Sequence, residues 1–84
     1  PGTRMVSNQF WVTKGQTIHV AATAIPDNST FWIGIMDGLN NARYVEGTGN
    51  LSHGFSITSS GHYRVFVQNR SSVQITAGGT YYFN

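Results

Sequence analysis

Three acids, three histidines and eight serines are the residues of this 84-residue chain whose chemistry could reach beyond packing. General acid–base work would need two of Asp27, Asp37 and Glu46 within about 5 to 10 Å across a cleft. Each of the three instead falls in or next to a run of turn residues, where an acidic side chain caps the chain that bends around it. His19, His53 and His62 offer imidazole, a common metal ligand, but they lie on three separate segments and form no H-x-H or H-x-x-x-H pair. No serine has the G-x-S-x-G surroundings of an activated nucleophile. Cysteine is absent, which excludes thiolate catalysis, thiolate zinc sites and disulfides. Asn28-Ser29-Thr30, Asn50-Leu51-Ser52 and Asn69-Arg70-Ser71 match the N-glycosylation acceptor pattern, yet all three coincide with turns, where turn chemistry alone places Asn and Ser. The expectation is a protein that is not an enzyme and holds neither cofactor nor metal.

Composition narrows the remaining classes. Charged residues are 10% of the chain, against about 25% in an average globular domain. Neutral polar residues replace them. The basic residues Arg4, Lys14, Arg43, Arg64 and Arg70 are scattered, whereas a nucleic-acid footprint needs a stripe, so nucleic acid is not an expected partner. No apolar run approaches the roughly 18 residues of a membrane-spanning helix. At 39% hydrophobic and 13% aromatic, the chain has enough apolar surface to offset the entropy of ordering. Small secreted domains of animals usually carry disulfides, so as a secreted or cell-surface protein this disulfide-free chain leans to a bacterial or phage source.

Apolar residues recur at a period of two, in short runs bounded by Gly, Pro, Asn, Asp and Ser. Phe10 and Val12 form a first run that ends at Lys14-Gly15; Thr17 to Ile25 and Phe31 to Met36 follow, separated by the Pro26 to Ser29 turn. Arg43 to Glu46, Leu51 to Thr58, Tyr63 to Gln68, Val73 to Ala77 and Thr80 to Phe83 complete the set, the last two divided by Gly78-Gly79. Seven or eight short strands at this spacing predict an all-β, antiparallel, jelly-roll-like β-sandwich. Residues 6–84 read as one domain, and Pro1 to Met5 as a cloning-derived or flexible tail outside it. The inward set is Phe10, Val12, Ile18, Val20, Ala22, Phe31, Ile33, Ile35, Phe55, Ile57, Tyr63, Val65, Val67, Val73, Ile75 and one or two of Tyr81 to Phe83.

Strict alternation then throws Trp11, Trp32 and Phe66, together with Tyr44 and Tyr82, onto the opposite faces of their strands. Trp32 and Phe66 belong to the two strongest runs, and on neighbouring strands they would lie about 4.5 to 8 Å apart, with Arg64 and Gln68 alongside. An aromatic surface edged by such groups suits a sugar ring, a peptide or a protein partner. Cross-strand filler and an interface between copies are the competing uses of the same residues. The candidate ligand-binding residues are therefore Trp32, Phe66, Arg64, Trp11, Tyr44 and Gln68.

Phe10-x-Val12-x-Lys14-Gly15-Gln16-Thr17-Ile18 resembles the opening of the bacterial pre-peptidase C-terminal domain family, and Gly61-x-Tyr63-x-Val65-x-Val67-x-Asn69 is similar to its closing strand. Phe31-x-Ile33-x-Ile35-x-Asp37 sits where such domains place a central strand followed by an acidic turn. The resemblance implies a secreted bacterial sandwich appended to hydrolases or surface proteins, which assists folding, secretion or substrate binding. The acidic cluster with which collagen-binding relatives hold calcium is missing, since Asp27, Asp37 and Glu46 are the only acids. The functional expectation is an accessory binding module for a carbohydrate, peptide or protein. A self-assembling structural protein, forming homo-oligomers through the patch or an edge strand, and a small antibacterial or inhibitory protein are the alternatives.

Overall fold

Side chains that alternate at a period of two can bury one set only by pairing into sheets, and that is what the chain does. The computed structural model describes residues 4–71 and 75–84. Its strands are β1 (Arg4–Val6), β2 (Phe10–Val12), β3 (Thr17–Ile25), β4 (Thr30–Asp37), β5 (Ala42–Thr48), β6 (Asn50–Ser56), β7 (Gly61–Asn69) and β8 (Thr76–Phe83). One sheet runs β1-β7-β4-β5, with β2 pairing further along β7; the other runs β6-β3-β8. Every pairing is antiparallel. The chain crosses between the sheets at five of its seven connections, which gives the antiparallel sandwich its jelly-roll-like character.

Between the sheets lies one core. Val12, Phe31, Ile33, Ile35 and Val65 from the five-stranded sheet meet Ile18, Val20, Ala22, Ala24 and Phe55 from the three-stranded one, and Ile57 closes one end. Phe10, Tyr63, Val67 and Ile75 pack against this cluster from its rim. Each large side chain fully buried contributes about 1.5 to 3 kcal/mol before entropy is subtracted. The register that decides the outer surface is set here: Phe31 is buried in the core, so Trp32 points outward. At the corner where β5 passes to β6, Gly49 has φ of 69° and a Cβ there would lie 2.8 Å from the Asp27 carbonyl oxygen. Only glycine satisfies both conditions.

Four sequence expectations change. Arg4 and Met5, placed in a tail, are part of β1, where Arg4 pairs with Gln68 and Met5 with Val67. Gly78-Gly79 does not divide two strands. It lies within β8, because Gly79 opposite Ala22 packs so closely that a Cβ would meet the Ala21 carbonyl oxygen, and a glycine in a strand marks such an approach. Tyr81 and Phe83 do face the inner side, stacked on Phe10 with centroids at 5.1 and 5.4 Å, but they stay 42% and 39% exposed because β8 is an edge strand. Phe66, on the outward side of β7, is nevertheless buried. Val73 lies outside the described residues.

Candidate functional site

All six candidate residues lie on one face, the outer face of the five-stranded sheet. Trp32 pairs with Gln68 on β7 and with Glu46 on β5; Phe66 and Tyr44 both pair with Gly34; Arg64 pairs with Met36; and Trp11 pairs with His62. Cross-strand partners share a face, so the alternation places every one of them on the same side. They nevertheless divide into three groups with different surroundings.

The first group is centred on Trp32. Its indole stacks on the Tyr44 ring at 4.0 Å between centroids, 23° from parallel. From the β7 side the Arg70 guanidinium lies 4.3 Å over the indole, and the indole Nε1 donates to Glu46 Oε1 at 2.9 Å. A row of Tyr44, Trp32 and Arg70 thus crosses the face, with Glu46 beside it. Tyr44 is 49% exposed and leaves one aromatic face to solvent. Arg70 and Glu46 were missed by sequence reasoning. Their signal is the same parity: Glu46 stands two residues from Tyr44 on β5, and Arg70, just past the end of β7, two from Gln68.

In the second group the side chains hold one another. Phe66 lies across Gly34, so closely that a Cβ on Gly34 would come within 2.7 Å of its ring. The Arg4 guanidinium covers the Phe66 ring from outside at 4.8 Å, and its Nε and Nη2 donate to Gln68 Oε1 at 2.9 and 2.6 Å. Phe66 is 2% exposed and offers no surface to a ligand. Gln68 is engaged by Arg4. Arg64 donates to the Ser7 carbonyl at 3.0 Å and ties the β1–β2 connection to β7. Sequence alternation gave the direction of Phe66 correctly but not its exposure, because nothing in a period of two announces that β1 and Arg4 cover this part of the face.

Trp11 belongs to neither group. It is 55% exposed and packs edge-on against His62 at 5.3 Å. Between His62 and Gln68, the residues that face Trp11 and Trp32, the strand runs roughly 20 Å at about 3.3 Å per residue. The two tryptophans therefore form separate surfaces.

Two of the three acids, Glu46 and Asp37, are committed to structure. Asp37 ends β4, and its carboxylate accepts the backbone N–H of Leu39 and Asn41, both at 2.9 Å, and the Asn41 side-chain amide at 3.2 Å. The backbone hydrogen bond from Asn41, aided by the other two donors, holds its pKa below the usual aspartate value. Among the described residues no three His, Asp or Glu side chains converge on a metal position. What the Trp32 row can do is stack an apolar ring face on the open side of Tyr44, with the Glu46 carboxylate beside the row; Arg70 lies on the opposite side of the indole. Comparison of the chain with protein-family models, curated proteins and solved structures gives no match.

Proposed function

We propose that this chain is a non-enzymatic binding module, secreted or displayed at a bacterial surface, that recognises a carbohydrate through the outer face of its five-stranded sheet. The observation that carries the reading is the Tyr44, Trp32 and Arg70 row, whose rings are fixed before any ligand arrives. A sugar ring presents an apolar face of axial hydrogens and a rim of hydroxyls, which matches the Tyr44 ring with the Glu46 carboxylate close by on the same strand. Preorganisation lowers the entropy cost of binding, since the indole is held by Glu46 and two stacked neighbours. The commitment of Glu46 to Trp32 and of Asp37 to its turn favours recognition over acid–base chemistry. The likeness of its strand motifs to the pre-peptidase C-terminal family is compatible with an accessory role beside a catalytic partner.

Tryptophan fluorescence titrated with a panel of soluble polysaccharides tests this. Binding should perturb Trp32 emission, and Tyr44→Ala should weaken it about tenfold while costing at most about 1 kcal/mol of stability, which leaves the chain folded. A panel without response, or a response that Tyr44→Ala leaves intact, overturns the assignment.

A further inference from the structure

At the other sheet, β8 is an edge strand whose outer backbone groups face away from β3. Thr17 and Asn84 exchange both backbone hydrogen bonds, so along the continuous register the bonded pairs continue at His19 with Tyr82, Ala21 with Thr80, Thr23 with Gly78 and Ile25 with Thr76. The alternate residues Ala77, Gly79, Tyr81 and Phe83 therefore direct their N–H and C=O groups outward, and among the described residues no strand pairs with them. Natural edges are normally guarded by lysine, proline or other charged residues. β8 reads Thr-Ala-Gly-Gly-Thr-Tyr-Tyr-Phe and contains none.

We infer that β8 is a dimerisation strand, which pairs antiparallel with β8 of a second copy about a twofold axis through Thr80. In that register Gly79 faces Tyr81 of the second copy, Gly78 faces Tyr82 and Ala77 faces Phe83, so every aromatic stands opposite a glycine or alanine. The four outward-directed residues pair only with one another, Ala77 with Phe83 and Gly79 with Tyr81, which satisfies the unpaired edge on both copies. Shifting the strands by one register step would set Tyr81 against Tyr81 or Gly79 against Gly79. Large-against-small pairing is the arrangement by which aromatic side chains cover glycines in a sheet.

The inner surface supplies a receptacle. Beside Gly79, between β1 and β7 on one sheet and β3 and β8 on the other, opens a cleft of about 210 Å³ lined by Met5, Val20, Val65, Val67 and Tyr81 among others. A cavity of about 150 Å³ is enough to hold benzene, so this one accommodates an aromatic ring such as Tyr81 of the second copy. No charge on β8 opposes its own image. Tyr81, Tyr82 and Phe83 are 42%, 62% and 39% exposed, which at about 200 Å² per aromatic side chain makes roughly 300 Å² per copy. With the strand backbones and flanking residues added, the interface reaches about 1,000 Å² in total, the lower end for a specific dimer.

Sedimentation of the full chain from about 5 to 500 μM should show a shift from the 9.2 kDa monomer toward twice that mass. Thr80 is exposed on the outer face, so Thr80→Lys and Thr80→Glu leave the monomer's core alone. Each should weaken self-association about tenfold or more by setting like charges opposite each other, and an equimolar mixture of the two should recover a one-to-one dimer. Tyr44→Ala should dimerise as the parent does, which separates this surface from the carbohydrate site. A chain that stays monomeric throughout, a Thr80→Lys variant that associates like the parent, or a mixture that fails to recover each overturns the proposal.

Discussion

The two outer faces of the sandwich are made from different residues. On the five-stranded sheet stand Arg4, Arg64, Arg70, Glu46, Trp11, Trp32, Tyr44 and Phe66, and most of these long side chains are held by another through a stack or a hydrogen bond. On the three-stranded sheet stand Ala21, Thr23, Ser52, Gly54, Gly78 and Thr80, with no charge and with His19 stacked on Tyr82 at 4.6 Å as its main large contact. In a chain with so few charges, concentrating them on one face lets that face act as a small second core. Phe66 and Met36 are buried there although they point away from the main one. The other face stays short and flat, and its interactions are left to the edge.

The largest effect that would break this comparison lies in the shared middle. Phe31→Ala empties a fully buried site and should cost about 3 to 5 kcal/mol, comparable with the whole stability of a small domain, so the variant should be largely unfolded by circular dichroism. Trp32→Ala, one residue on, removes a surface stack and should cost only about 1 kcal/mol in urea denaturation. Equal losses would mean that the outer face is as much a core as the inner one. Next in size is a pair of glycines. Gly34→Ala drives a methyl into the Phe66 ring and the Arg43 carbonyl oxygen and should cost about 1 to 3 kcal/mol, whereas Gly78→Ala meets open space and should stabilise by about 0.5 kcal/mol. Opposite signs in thermal unfolding are the signature of one covered face and one bare face.

How much of this was legible in the sequence follows from what a period of two encodes. It encodes direction, so the Phe31 and Trp32 assignment, the sandwich and the outward side of the candidate residues could be read from alternation, whereas their meeting on one sheet depends on strand order. Exposure on the far side depends on which strand lies next in the sheet, and that is a long-range fact. Phe66 is covered because Arg4 of β1, more than sixty residues away in the chain, pairs with Gln68. Arg4-Met5-Val6 lacks the apolar alternation that marks Phe10-x-Val12, a strand of the same length, and so β1 looked like a tail. Gly78-Gly79 looked like a turn because backbone freedom is the common use of glycine, whereas here its lack of a side chain permits close approach to β3. Arg70 and Glu46 could have been included with Gln68 and Tyr44 by counting two residues on.

Smaller effects sharpen the contrast at single side chains. Arg4→Ala uncovers Phe66 and frees Gln68, and should cost about 1 kcal/mol in urea denaturation with the slope unchanged. Arg4→Lys should recover only part of that, since an ammonium cannot bond Gln68 through two nitrogens while lying flat on the ring. If Arg4→Ala were silent, the cover over Phe66 would be geometric rather than energetic, and the second core would reduce to Gly34 and Met36.

The smallest effect concerns acid, and it too belongs to the five-stranded sheet, because Asp37 closes β4 while the three-stranded sheet bears no acid on its strands. Its pKa is lowered below the ordinary 3.8 by the Asn41 backbone N–H first, with the Asn41 amide and the Leu39 N–H adding to it. A carboxyl with a depressed folded-state pKa binds fewer protons than in the unfolded chain, so its contribution is complete above about pH 4 and is lost as pH falls through the lower, folded-state value. Asp37→Asn should therefore lower the urea midpoint near neutral pH, and the gap to the parent should narrow below about pH 4 and close once the folded-state carboxyl is protonated. A gap that persists unchanged into acid would show that the loss comes from the altered turn and not from the charge, and the acid response of the protein would have to arise elsewhere.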